Sequence, residues 1–293
     1  MSRHRSIALW LIAGLLGGCS AAATLTPSPP PRGNVDHPSG ARDLVLRYET
    51  VGGFAPREFL LTSYPTISLY GDGTVITHGP QIAIYPGPAL PNLIASRITE
   101  AGLQRLLALA ADAGLLGADA QYDAIGIADA GTAQFTVVAG GARHTISAYA
   151  LSESQDLGLP PAVAAQRVKL RAFVSRLGDL RTSLGPEQVG AEASYRFTAV
   201  RLYVQPAVPP ADGLVQPVIA WPLAAPLATF GESARPGTGS DLRCGVVSGA
   251  DLDVLRPLVM KANQLTPWRS GGRNFSMTMR VLLPDESGCP GVA

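Results

Sequence analysis

The fold of this chain is set by the stretch ISLYGDGTVIT, residues 67–77. Two short runs, 67–70 and 74–77, flank the triplet Gly71-Asp72-Gly73. Both runs are rich in the β-branched and aromatic residues that favour strands. Glycine adopts the positive φ values of a tight turn without a steric penalty. The stretch therefore predicts a β-hairpin.

Apolar periodicity continues the pattern along the first half of the chain. Alternating residues from Leu44 to Tyr48 predict a half-buried strand, and 81–85 is a further candidate strand. Residues 54–65 lack a periodic pattern, which predicts an irregular connection. Leucines at helical spacing predict a helix from Thr99 to a stop at Gly114. A second hairpin is predicted at 132–149, and a long helix at 161–184.

The second half repeats this mixture of strands and a helix. Strands are predicted over 195–204, 218–221, 242–247 and 275–283, with a helix beginning at Ser248 and kinked or shortened by Pro257. The sequence thus predicts an α+β fold of two small units, each an antiparallel sheet covered by one or two helices. We place the domains at 42–186 and 187–293, with the boundary at Gly185-Pro186.

The N-terminus has the pattern of an export signal. Arg3, His4 and Arg5 precede an apolar or small-residue run from Ile7 to Leu16, which is too short to span a membrane permanently. Residues 1–18 are predicted to be a signal peptide. Residues 19–41 are rich in proline and predict a semi-rigid, partly extended tether.

The end of the apolar run, Leu16-Gly17-Gly18-Cys19, resembles the lipobox of bacterial lipoproteins. That resemblance implies cleavage before Cys19 and a thioether-linked diacylglycerol on its sulfur. The protein is then expected on the extracytoplasmic side of the cell membrane, held by its lipid. The alternative is an ordinary signal peptide with a chance cysteine at its end.

Two further cysteines, Cys244 and Cys289, remain once Cys19 is assigned to lipid. An even pair in an exported chain predicts a disulfide. The alternative is two buried free thiols, and two ligands are too few for a structural zinc site.

Two parts of the chain resemble uncharacterised bacterial families. The hairpin Tyr70-Gly71-Asp72-Gly73-Thr74-Val75 and the elements after it resemble a domain family of unknown function, over about residues 43–180. The segment from Cys244 to Cys289 resembles the end of a lipoprotein family of high-GC Gram-positive bacteria. The resemblances imply an antiparallel sheet with helices, a disulfide and an envelope setting, and they imply no chemistry.

Charge and motifs restrict the function further. The formal net charge is +1 and there is no basic run, so nucleic acid is not an expected partner. The sequence contains no nucleophile elbow, zinc-protease, EF-hand or phosphate-loop motif, and we predict no cofactor, metal or catalytic residue. Two alternatives are a metal site formed by His78 and His144, and a calcium-binding loop formed by Asp119, Asp123 and Asp129.

Three interpretations of function stay open at this point. In the first, the protein is a non-catalytic envelope module that binds a protein, a wall polymer or a small ligand. In the second, it is an envelope hydrolase with dispersed catalytic carboxylates. In the third, it is a structural partner in a membrane assembly. We adopt the first. Two proline-flanked loops, 52–65 and 85–91, hold the candidate binding residues Phe54, Phe59, Tyr64 and Tyr85. The alternative is that the aromatics of the first loop cap the core.

Overall fold

The computed structural model describes residues 34–290, apart from residues 125, 154–155, 209–212 and 235–240. The predicted signal peptide, residues 1–18, and Cys19 lie outside the described residues. The described residues from Asn34 onward belong to one compact unit that contains two sheets. No helix in these ranges is long and apolar enough to span a bilayer.

The first sheet has eight strands. In chain order they are β1 (Leu44–Val51), β2 (Ile67–Tyr70), β3 (Thr74–His78), β4 (Leu93–Arg97), β5 (Ala120–Tyr122), β6 (Thr132–Ala139), β7 (Ala142–Tyr149) and β8 (Ala193–Ser194). Across the sheet they run β5-β7-β6-β1-β2-β3-β4-β8. All neighbours are antiparallel except β5 and β7.

The second sheet has six strands. They are β9 (Ala199–Pro206), β10 (Ile219–Ala220), β11 (Glu232–Ser233), β12 (Arg243–Ser248), β13 (Trp268–Ser270) and β14 (Arg273–Val281), in the order β10-β13-β14-β9-β12-β11. Only β10 and β13 are parallel. The predicted α+β class with two sheets is therefore confirmed.

In the part of the chain that the structure describes, five α-helices connect and cover the sheets. They are α1 (Arg57–Thr62), α2 (Glu100–Asp112), α3 (Pro161–Leu177), α4 (Leu180–Leu184) and α5 (Gly249–Val259), with short 3-10 turns at Pro186–Gln188 and Leu227–Thr229. The Thr99 hydroxyl caps α2 by accepting from the Gly102 N–H, and Gly114 follows with φ +80°. The start and the end of α2 are thus as predicted.

The central hairpin needs its two glycines for different reasons. Gly73 has φ +84°, where a side chain would be strained. A Cβ on Gly71 would instead lie 2.3 Å from the Pro38 carbonyl oxygen, so this glycine allows two backbone segments to approach closely. Between them, Asp72 accepts from the Thr74 N–H at 2.9 Å and closes the turn.

The first sheet contributes side chains to two cores. One face packs Leu46, Leu69 and Phe135 against α2 and α3. Tyr70 and Ile76 instead belong to a second core with β9, β14 and α5; its other members include Leu44, Leu93, Val200, Leu202, Leu255, Met277 and Met279. The two sheets therefore share apolar side chains in the second core. The domain boundary at residue 186 stays a prediction, although β8, beyond it, pairs with β4.

Candidate functional site

The described residues form an apolar surface groove of about 830 Å³. One wall is segment 81–85, part of the loop 79–92 between β3 and β4. The lining also includes Pro56, Phe59 and Thr62 at α1, and the largely buried Met277 and Met279 on β14. We call this feature the apolar groove. Its volume lies within the range typical of ligand pockets, roughly 300–1,000 Å³.

Hydrogen bonds hold loop 79–92 at its two ends and at Gly87, after segment 81–85. The Gly79 N–H donates to the Asn92 carbonyl at 2.9 Å, and the Gln81 amide donates to both the Gly79 and Asn92 carbonyls. Farther along, the Gln264 N–H donates to the Gly87 carbonyl at 2.9 Å. The loop is therefore fixed by its polar groups, while its apolar side chains are left for the groove.

Large apolar side chains are exposed along the groove. Phe59 is 62% exposed, Ile82 66%, Ile84 58% and Tyr85 68%. Clustered exposed apolar side chains are the usual sign of an interaction surface, whereas single ones are ordinary.

The described residues that line the groove carry no charge. Its polar contributions are uncharged side chains, among them Thr62, Gln81, Gln264 and Thr278. The amide groups of Gln81 and Gln264 are engaged with backbone groups of the same loop. Because nothing in this lining compensates a charge, the groove favours a neutral apolar occupant.

The four predicted binding residues separate in the structure. Phe59 and Tyr85 line the groove. Phe54, 92% exposed, lies outside the lining, and its N–H donates to the Asp129 carbonyl at 3.1 Å. Tyr64 packs against the second core, under the guanidinium of Arg280 at 4.5 Å.

The sequence interpretation did not identify four side chains of the groove, Ile82, Ile84, Met277 and Met279. It placed 81–85 in a strand. It also placed Met277 and Met279 in a strand, which is correct, and the structure packs both of them in the second core as well as at the groove. The signal available was a β-type apolar run enclosed by Pro80 and Pro86, which has no obvious partner strand in the sequence.

The predicted hairpin-end histidines do not meet. His78 ends β3 and His144 lies on β7, with three strands between them, which is roughly 19 Å at the usual strand spacing. The Asp119 carboxylate accepts from the Thr145 N–H at 2.7 Å, and the Asp123 carboxylate accepts from the Gln121 amide at 2.9 Å. Within the described ranges, no group of three or more His, Cys, Asp or Glu is arranged to hold a metal ion.

A polar cluster, separate from the apolar groove, joins both sheets to the segment Pro284–Cys289, which we call the C-terminal clip. Asp285 accepts from Arg47 on β1 and from the Tyr70 hydroxyl on β2, both at 2.8 Å. Glu286 forms a bidentate ion pair with Arg280 on β14. The Cys244–Cys289 disulfide, with Cα atoms 6.0 Å apart, confirms the predicted pairing and fixes the end of the clip to β12.

Electrostatics in the clip favour a structural role for its carboxylates. Burial alone would raise the pKa of Glu286, but hydrogen bonds and charge from Arg280 outweigh it, and the pKa of Glu286 is lowered. Nearby, burial raises the pKa of Glu49. In hydrolases, the catalytic acid and base are often two carboxyl groups whose pKa values are shifted in opposite directions. Here, however, Asp285 and Glu286 are held by arginines, so neither carboxylate is available to a substrate.

A further charged group lies beneath α3, beside the first sheet. Arg167 on α3 is fully buried, and its guanidinium donates to the Tyr122, Tyr149 and Ala150 carbonyls and to Asp156. Hydrogen bonds from Arg171 and Arg167 lower the pKa of Asp156. This arginine joins three chain segments and faces no groove.

Comparison of the chain with protein-family models, with curated proteins and with solved structures finds no match.

Proposed function

We propose that this protein is a lipid-anchored, extracytoplasmic binding module that holds an uncharged apolar segment of a partner protein in the apolar groove. The observation that carries the proposal is the groove itself, an open concavity with four large apolar side chains exposed by more than half and an uncharged described lining. Enriched aromatic side chains and depleted charge are the signature of the centre of a protein interface.

The chemistry of the lining distinguishes a protein partner from a wall polymer. Wall polymers present hydroxyl and charged groups, which need hydrogen-bonding or charged partners when they are desolvated. The groove offers few such partners, because the amides of Gln81 and Gln264 already serve the loop. Apolar protein side chains, by contrast, gain about 25 cal/mol for each Å² of apolar area they bury there.

The arrangement of the charged groups supports a non-catalytic function. The carboxylates of Asp285, Glu286 and Asp156 are all paired with arginines within the described fold. They brace the sheets and helices, and the groove draws on none of them.

Site-specific crosslinking in living cells tests the binding proposal. A photoreactive amino acid replaces Tyr85 in the groove or, as a matched control, Val254 on α5, which is also exposed but lies outside the groove lining. We expect a discrete protein adduct from position 85 and none from position 254. Equal labelling at both positions, or none at either, contradicts the proposal.

The anchoring part of the proposal rests on the lipobox resemblance at Leu16–Cys19 and is tested separately. Cys19→Ala is expected to abolish incorporation of labelled fatty acid and to leave the precursor uncleaved. Cys289→Ala is the control, because it also removes a cysteine but leaves the lipobox intact. Fatty-acid labelling of the Cys19→Ala protein would show that the anchor is not at this residue.

A further inference from the structure

The wall of the groove contains backbone groups that the fold does not use. Loop 79–92 is hydrogen-bonded before and after segment 81–85, yet no described residue is hydrogen-bonded to the backbone N–H or C=O of Ile82, Ala83 or Ile84. All five residues of 81–85 are exposed. Polar backbone groups that lie beside a dry apolar surface need partners once a bound molecule displaces the water.

The sequence of this segment is that of a strand without a neighbour. Gln81-Ile82-Ala83-Ile84-Tyr85 combines β-branched and aromatic residues, and Ile82 and Ile84, two positions apart, both line the groove. The segment follows β3 directly, after Gly79 and Pro80. It therefore offers an extension of the first sheet on which another chain can pair.

The loop also lacks the features that normally prevent such pairing. Exposed strand edges are usually protected by charged side chains, especially lysine. Residues 79–92, GPQIAIYPGPALPN, contain no charged residue, although 15% of the whole chain is charged. Pro80 and Pro86 have no N–H, so they confine pairing to the five residues between them.

We propose that the occupant of the apolar groove is an extended, uncharged polypeptide segment that adds to residues 81–85 as a β-strand. Its backbone pairs with the free groups of Ile82, Ala83 and Ile84, while its alternate apolar side chains enter the groove. This is the recognition mode in which main-chain bonds give affinity and pockets select side chains. The inference rests on the proposed function and specifies the form of the partner.

Peptide binding to the full chain tests this inference. The probe is a short fluorescent peptide of alternating valine and threonine, and its matched control is the same peptide with every backbone amide N-methylated. We expect the control to bind at least about tenfold more weakly, because its methylated amides cannot donate the backbone hydrogen bonds that strand pairing requires. Amide hydrogen exchange at 82–85 should slow by at least about tenfold when the unmethylated peptide is bound.

Two results would overturn the inference. One is equal binding of both peptides, which would indicate burial of apolar surface without backbone pairing. The other is that the unmethylated peptide does not bind, or binds without slowing amide exchange at 82–85. Crosslinking at position 85 separates this failure from failure of the function: an adduct in cells with either of these results leaves the binding function standing and removes the strand pairing.

Discussion

The disulfide gives the most quantitative prediction of stability. We consider the double substitution Cys244→Ala and Cys289→Ala, which removes the bond with minimal addition of polar groups to a buried site. The cysteines are 45 residues apart. For a loop of this length the chain-entropy model gives about 4 kcal/mol of stabilisation, through restriction of the unfolded chain.

The native structure explains why the loss should come mainly from the unfolded state. Without the bond, the C-terminal clip is still held by Arg42 and Arg201, which donate to the Pro284 and Gly288 carbonyls at 2.9 and 2.6 Å. The ion pairs of Asp285 and Glu286 also remain. The clip should therefore stay docked, and the folded state should change little.

Thermal and urea unfolding measure the effect. For a protein of this size, 4 kcal/mol corresponds to a decrease in Tm of about 8–16 °C. A reductant should lower the Tm of the wild-type protein by a similar amount and should leave the double variant unchanged, which controls for other effects of the reductant. A double variant within about 1 kcal/mol of the wild type would refute the reasoning, because it would mean that the loop is already restricted in the unfolded chain.

Three further predictions concern the charged groups and the groove. Arg167→Met should lower the free energy of unfolding in urea by about 3–5 kcal/mol, because three backbone carbonyls lose their buried charged donor and Asp156 keeps its pair with Arg171 but loses that with Arg167. As the control, Lys169→Met on the exposed face of the same helix should change the free energy of unfolding by less than about 0.5 kcal/mol. The lowered pKa of Glu286 stabilises the fold fully above the ordinary glutamate value near 4.5, and this stabilisation is lost as the pH falls through the lowered pKa of the folded state. Glu286→Gln should therefore reduce the loss of stability that urea unfolding measures below pH 4.5. An unchanged dependence of stability on pH would contradict this assignment. Tyr64→Ala should cost roughly 3 kcal/mol, while Tyr85→Ala should cost less than about 0.5 kcal/mol; a large loss of stability in the Tyr85 variant would assign it to the core.

Local patterns in the sequence predicted most of the elements but not where they end. The 3.6-residue period of α2 and its Thr99 cap are local features, and the structure matches them. The long helix predicted over 161–184 is instead broken into α3 and α4, because Asp179 caps a new helix by accepting from the Thr182 N–H at 3.0 Å. The predicted irregular connection at 54–65 contains the short helix α1.

Strand assignment failed where tertiary contacts decide it. The run 81–85 has strand composition but no described partner strand. By contrast β4, which was not predicted, pairs with β3 along its whole length. In β1, a bulge at Val45 interrupts strict alternation and adds this residue to the helix-covered core. The sequence indicates strand propensity, but pairing depends on which segments the fold brings together.

The candidate site could be predicted from the sequence only in part, because tertiary packing decides which side chains reach it. Aromatic residues between prolines identified Phe59 and Tyr85, since composition alone indicates a rigid exposed loop. The contribution of Met277 and Met279 could not be found, because it depends on how β14 lies against loop 79–92 in three dimensions. Phe54 and Tyr64 both stand within two residues of a proline, and only packing separates one exposed ring from one packed against the core.

The claim that the uncharged apolar groove is the binding surface is tested most directly by the yield of the position-85 crosslink in two variants of Ile84. Ile84→Leu keeps the groove apolar, whereas Ile84→Lys places a charge in it, and Ile84 is exposed enough for either variant to fold. Because a desolvated charge has no charged partner among the described residues of the lining, we predict wild-type yield from the leucine variant and a loss of at least about tenfold from the lysine variant. Equal yields from both variants would contradict the account.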